Sequence, residues 1–362
     1  MMKHTPTAVP AIARALFTGI MCSALAAGSA QQRTGDLPGR LGDYVKQHVN
    51  LAPDEYKRLL AGEAVTKLLP ADASKEVAIF GAVWIHAPIS AYTAAVRNIE
   101  GLEKGPNFLV TKKISNPPRL EDFARLTLPR EDIEDLKTCR VEDCELKLGE
   151  DAIERIRADV DWTKPLPQVT VQVETLVRTM ALEYVTRYEK AGNEALAEYR
   201  DTKRPTFVAQ EFKTMIDRMP VLTEYLPQLK TYLLAYPKAS LPGAESFLYW
   251  QSAKFGLKPT IRINHVVIVE QPDNATVATK MLYANHYFWT AIELRVLVTD
   301  PARGKGFWFT SVSQSRSDGL DGFTGSIIRG KVRSEAQNGM KAALEAARRR
   351  WSEATQGGQA DK

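Results

Sequence analysis

Along the last third of the chain, apolar and polar positions alternate with two different periods. From Thr260 to Gln314 the period is two, which predicts strands, and from Asp321 to Trp351 it lengthens to three and four, which predicts one long helix. In Thr260–Glu270, Ile261, Ile263, His265, Val267 and Val269 share one face, and Thr260, Arg262, Asn264, Val266, Ile268 and Glu270 share the other. Pro272-Asp273-Asn274 turns the chain into a second strand, Ala275–Tyr283. Tyr287–Thr299 then sets Phe288, Ile292, Leu294, Val296 and Val298 against Trp289, Glu293, Arg295 and Leu297, and Asp300–Gly304 turns into Gly306–Gln314. Four strands joined by short turns predict an antiparallel meander. On the closing helix, Val332, Ala336, Met340, Ala343, Ala347 and Trp351 form an apolar stripe of mostly small side chains. Such a stripe either lets the helix approach the sheet closely or leaves volume beneath it.

A further strand is predicted at Glu76–Ala87, where Val77, Ile79, Val83 and Ile85 alternate with Ala78, Phe80, Ala82 and Trp84. Both of its faces are apolar, so it is expected to be buried. His86-Ala87-Pro88 ends the ladder, and Ser90–Ile99 reads as a helix. Upstream, Pro53-Asp54-Glu55 opens a short helix that runs to Leu60 and is stopped by Gly62. Between Leu148 and Ser246 the periodicity is helical: Glu150–Ala158, a longer helix within Gln168–Arg200, Phe207–Arg218 and Leu222–Tyr236, punctuated by Pro220 and Pro237. This block, at about 149–245, reads as an insertion that is either extra core or a lid over a cavity.

Val83-Trp84-Ile85-His86-Ala87-Pro88 at the front and Gly322-Phe323-Thr324-Gly325 leading into the helix to Trp351 at the back resemble the START-like helix-grip superfamily, which includes polyketide cyclase-like and lipid-transfer proteins. The resemblance covers roughly half of the chain after its leader. It implies an α+β fold in which a curved antiparallel sheet is closed by the long C-terminal helix around an apolar cavity, here interrupted by the large helical insertion. It carries over no catalytic residues.

The first residues add a compartment. Lys3 and Arg14, the apolar run Ala15–Leu25 and the small residues Gly28-Ser29-Ala30 read as a secretory signal peptide over residues 1–30, too short to span a membrane. A flexible lead-in over 31–40, one domain over 41–356 and a disordered tail over 357–362 complete the expected organisation, and the location is periplasmic or secreted. In such a compartment Cys139 and Cys144 are expected to form a disulfide that pins a short turn. Two thiolates without a nearby Cys or His pair fall short of a zinc site, so neither metal nor cofactor is expected. The net charge of +5 includes two basic residues of the leader, which argues against nucleic acid as a partner. Arg348-Arg349-Arg350 suit the negative end of the helix dipole and are too few to hold the protein on a membrane.

The candidate ligand-pocket residues are Trp84, His265, Trp289, Glu293, Arg295, Ala336, Met340 and Ala343. Glu293 and Arg295, two apart on one strand face, can provide a polar handle at the end of an apolar pocket. The expected function is binding of a hydrophobic small molecule or lipid without chemistry on it. Two alternatives stand beside it: an enzyme with a cyclase- or hydrolase-like pocket using His265 or Glu293 as a general base, and an envelope protein whose helical insertion supplies a partner surface.

Overall fold

Ten consecutive buried residues, Glu76–Ile85, form the strand that the sequence marks as apolar on both faces. The computed structural model describes residues 35–255, 258–318, 320 and 322–357, with the side chains of 255, 322–328 and 352–357 left aside. The expected signal peptide lies outside the described residues, as do residues 31–34 of the expected lead-in, residues 358–362 of the expected tail and the Gly322-Phe323-Thr324-Gly325 side chains. The strands are β1 (Val65–Leu68), β2 (Glu76–Ile85), β3 (Phe108–Lys113), β4 (Glu198–Tyr199), β5 (Thr206–Phe207), β6 (Ala244–Phe255), β7 (Lys258–Glu270), β8 (Asn274–Ala284), β9 (Phe288–Thr299) and β10 (Phe307–Ser317). The helices are α1 (Gly39–Tyr44), α2 (Pro53–Leu60), α3 (Ile89–Arg97), α4 (Ile99–Leu102), α5 (Arg130–Thr138), α6 (Glu150–Asp159), α7 (Leu166–Ala191), α8 (Val208–Ile216), α9 (Pro227–Ala235) and α10 (Gly322–Gly357).

The fold is α+β. Eight strands make one antiparallel sheet in the order β1-β2-β10-β9-β8-β7-β6-β3, while β4 and β5 pair separately. The meander holds one strand more than the pattern predicts, because β6 precedes β7 and pairs with it along its whole length. The path runs from β2 through α3 and α4 to β3 at the far edge, through the helical block, and back along the meander to β2. Helix α2 begins at Pro53, where a missing N–H costs nothing, and Glu55 accepts the Ala52 N–H at 2.8 Å.

Cross-strand register fixes what shares a face. Glu293 sits between Thr279 and Ser313, and Arg295 between Val277 and Ser311, which in turn faces Gly81. On the same face β7 contributes Arg262, Asn264, Val266 and Ile268. Helices α3, α4 and α10 cover this side, where Tyr92, Val96, Ile99, Leu344 and Trp351 join Val83, Ile85, Val266, Ile268, Leu297 and Phe309 in one apolar cluster. The opposite face carries Phe80, Trp84, Ile263, His265, Val267, Lys280, Ile292 and Leu294, and meets α7, α8 and α9.

The helical block therefore packs on the side of the sheet that α10 does not occupy. Its own core, around Ile133, Leu136, Leu146, Ile153, Ile156 and Val173, includes Cys139, whose sulfur is bonded to that of Cys144. The inward stripe of α10 differs from the predicted one. Leu344 is 1% exposed, whereas Ala343 is exposed and Val332 is 39% exposed. Met340, Leu344, Ala347 and Trp351 recur at spacings of four, three and four, and Ala343 lies about 100° round the helix from Leu344. At Gly81, an added Cβ would stand 2.8 Å from Leu344 and 2.9 Å from Met340, so helix and strand are in direct contact there.

Candidate functional site

Beyond that contact, the face under α3, α4 and α10 changes character. Its floor is small and polar: Thr279, Ala291, Ser313 and Ser315 are only partly buried, whereas the apolar positions nearer Phe309 are closed. Strand alternation puts these side chains on the same face of the sheet as Glu293 and Arg295.

Charged and hydroxyl groups ring this floor. Arg295 Nε donates to Glu293 Oε1 at 2.9 Å and its Nη2 to Oε2 at 2.5 Å, while Ser311 Oγ donates to Glu293 Oε1 at 3.0 Å. At the end of α4, the Glu103 carboxylate accepts from Tyr249 Oη at 3.3 Å and from Gln251 Nε2, and Gln251 in turn accepts from Arg262. Tyr92 on α3 stands edge-on to Phe309 at 5.0 Å and to Trp351 at 5.1 Å. Asn264 is 3% exposed, lies between Tyr249 and Met281 in register, and its Nδ2 has no acceptor. A buried amide donor without a partner costs free energy that a ligand acceptor would return.

Burial and neighbours set the charges. Desolvation raises the Glu103 pKa, and Arg295 and Arg262 only partly offset it. Desolvation also opposes the charge on Arg295, but Glu293, Tyr92 and Glu103 together outweigh it, so Arg295 is held positive. Tyr92 is pushed up to about 12 by burial. One end of the site is thus a fixed cation beside carboxyl and phenol groups, and the other is apolar, with Phe309, Leu344 and Trp351.

Of the sequence-predicted pocket residues, the structure brings Glu293, Arg295, Ala336 and Met340 to this side. Ala336 packs with Val77, Ile79 and Leu320. Trp84 lies on the opposite face, against Trp308 at 5.2 Å and beneath the Arg303 guanidinium. Trp289 stands near the start of β9 with the Lys75 ammonium 5.9 Å above its ring. Ala343 points away from the sheet.

His265 also lies on the opposite face. Its Nδ1 is 2.9 Å from Tyr188 Oη, the Tyr236 ring is 4.5 Å away, and Nε2 has no partner. Opposite it in register is Lys280, fully buried, whose ammonium reaches Asn193 Oδ1 and, at 3.4 Å, Tyr188 Oη, and sits 4.4 Å from the Phe212 ring centre. Burial brings Lys280 down to about 7 and, with Lys280 beside it, His265 down to about 3. The residues that sequence reasoning left out, Glu103, Tyr92, Tyr249, Gln251, Arg262 and Asn264, come from four different elements or their ends. Only the aromatic, β-forming run Phe247–Trp250 signalled that β6 existed at all.

Among the described residues there is no group of three or more His, Cys, Asp and Glu able to hold a metal, and no helix long and apolar enough to cross a membrane. Compared with known proteins, the chain matches no family model and no curated protein.

Proposed function

We propose that this chain is an exported, START-like protein that holds a hydrophobic small molecule with a polar end, and does no chemistry on it. The observation that carries the reading is the half-buried Glu293–Arg295 pair and the unpartnered Asn264 amide on one face of the sheet, with small polar residues between them and an aromatic cluster alongside. Apolar lining with a few convergent polar groups is the usual make-up of a small-molecule site. The order β2-β10-β9-β8-β7-β6-β3 with a closing C-terminal helix supports the helix-grip part of the reading, and the Cys139–Cys144 bond supports an oxidising compartment.

Close contact at Gly81 limits where the ligand sits. It lies over β7 to β10, away from Gly81 on β2, with its polar group toward Arg295 and Asn264 and its apolar part toward Phe309 and Trp351. Native mass spectrometry of the purified protein and titration with a fluorescent long-chain fatty acid test this. A bound hydrophobic molecule is expected, and Ser313→Trp, which fills the floor, is expected to displace it. A protein that is ligand-free and binds no fluorescent fatty acid, or whose binding survives Ser313→Trp unchanged, overturns the reading.

A further inference from the structure

The charges around the face under α3, α4 and α10 balance one another. Arg295 gives two parallel hydrogen bonds to Glu293, and Arg295 and Arg262 are the opposite charges in reach of the Glu103 carboxylate. At the rim, Arg97 on α3 pairs with Glu245 and Glu270, and Lys112 on β3 pairs with Glu100 at 3.1 Å. The Lys113 ammonium donates to the Arg97 carbonyl at 3.3 Å and lies 4.1 Å from the Phe247 ring centre. Among these side chains, five cations stand against five carboxylates. The side chains that α10 turns inward, Met340, Leu344, Ala347 and Trp351, add no charge.

An ionised headgroup on this face would gain no full counter-charge, and a charge taken out of water without one is costly. What the face leaves unmatched is neutral. The Asn264 amide is 3% exposed, and its Nδ2 has no acceptor. Register sets it between Tyr249 and Met281 and diagonal to Thr279. Thr279, Ser313 and Ser315 each bring a half-buried hydroxyl to the same face. An oxygen that accepts from the amide, and a hydroxyl that both donates and accepts, complement such a surface.

We infer, resting on the reading that this face holds a hydrophobic molecule, that the polar end of that molecule is uncharged and bears hydroxyl groups, as in a long-chain alcohol or a monoester of glycerol. An oxygen of the headgroup accepts from Asn264 Nδ2, and its hydroxyls meet Thr279 and Ser313. The alkyl chain runs toward Phe309 and Trp351. The Glu293–Arg295 pair disfavours charged headgroups, because each partner already holds the other.

Isothermal titration of the full chain with 1-decanoylglycerol, decanoate and decylammonium, three amphiphiles of equal chain length, decides the matter. The glycerol ester is expected to bind most tightly, with each ion about tenfold weaker or more. Asn264→Leu, or Asn264→Ala should the first fail to fold, weakens the ester by about tenfold. Glu293→Gln leaves Arg295 without its carboxylate and shifts the preference to decanoate. Three results overturn the uncharged headgroup while the site stands, with Ser313→Trp still abolishing binding. These are equal or tighter binding of either ion by the unaltered protein, a folded Asn264 variant that binds the ester as before, and an unchanged preference in Glu293→Gln. If none of the three amphiphiles binds, or if Ser313→Trp leaves the ester bound, the site under α10 falls and the headgroup with it.

Discussion

Lys280 offers the sharpest test of how the sheet and the helical block are joined. It is fully buried opposite His265, and its partners are neutral: Asn193 Oδ1, Tyr188 Oη and the ring faces of Tyr188 and Phe212. Burial therefore lowers its pKa from 10.5 to about 7. The folded state binds fewer protons than the unfolded one throughout that window, so stability rises with pH across it and is lost as pH falls toward the folded value. Linkage then adds about 3 kcal/mol between about pH 7 and about pH 9.5. Above that range the buried tyrosines, Tyr184 and Tyr249 among them, reverse the trend, because their raised pKa values make the folded state hold protons that the unfolded state releases. His265 adds a separate fall as pH drops from 6.5 toward about 3. Lys280→Met keeps the length of the side chain and suits the aromatic surroundings. Urea unfolding at intervals from about pH 7 to about pH 9.5 should show the full slope in the unaltered protein and most of it gone in Lys280→Met. An unchanged slope in the variant would mean that Lys280 is charged and solvated in the folded state, and the account of this interface would fail.

Two other predictions concern α10 and the turn after β8. Gly81→Val drives side-chain atoms into Leu344 and Met340 and should cost ~1–3 kcal/mol, with α10 becoming more susceptible to limited proteolysis; Gly330→Ala, where an added Cβ meets nothing within 4 Å, should instead raise the unfolding midpoint by the equivalent of about 1 kcal/mol. Asp132 accepts from Asn285 Nδ2 at 3.2 Å and interacts with His286 Nε2 at 3.0 Å, all three buried. Asp132→Ala leaves both donors unpaired and should destabilise by ~2–4 kcal/mol in denaturant titration, and a change under 0.5 kcal/mol would show that water replaces the carboxylate.

The alternation of apolar and polar residues made the two faces of β7 and β9 legible, and the long period of Gln168–Arg200 made α7 legible. Each is a strong local pattern sustained over many residues. β1 and β3 escaped because they are short edge strands, Val65–Leu68 and Phe108–Lys113, with little contrast between their faces. β6 escaped because Phe247, Leu248, Tyr249 and Trp250 are apolar on both sides and follow directly on the helical block. Of the site, only the Glu293–Arg295 pair was legible, since residues two apart on a strand must share a face.

Parity between strands was beyond the sequence. Whether His265 joins Glu293 or opposes it depends on hydrogen-bond register, and the pairing of His265 with Lys280 and of Lys280 with Ile292 sets it on the other face from Glu293. The same holds for Trp84, which register sets against Trp308 and so on the face away from α10. Local pattern could establish strands, helices and the Cys139–Cys144 pairing, because those depend on neighbours along the chain. Which face meets α10, which meets the helical block, and which polar groups converge between them follow from long-range pairing and packing, and only the folded molecule fixes these.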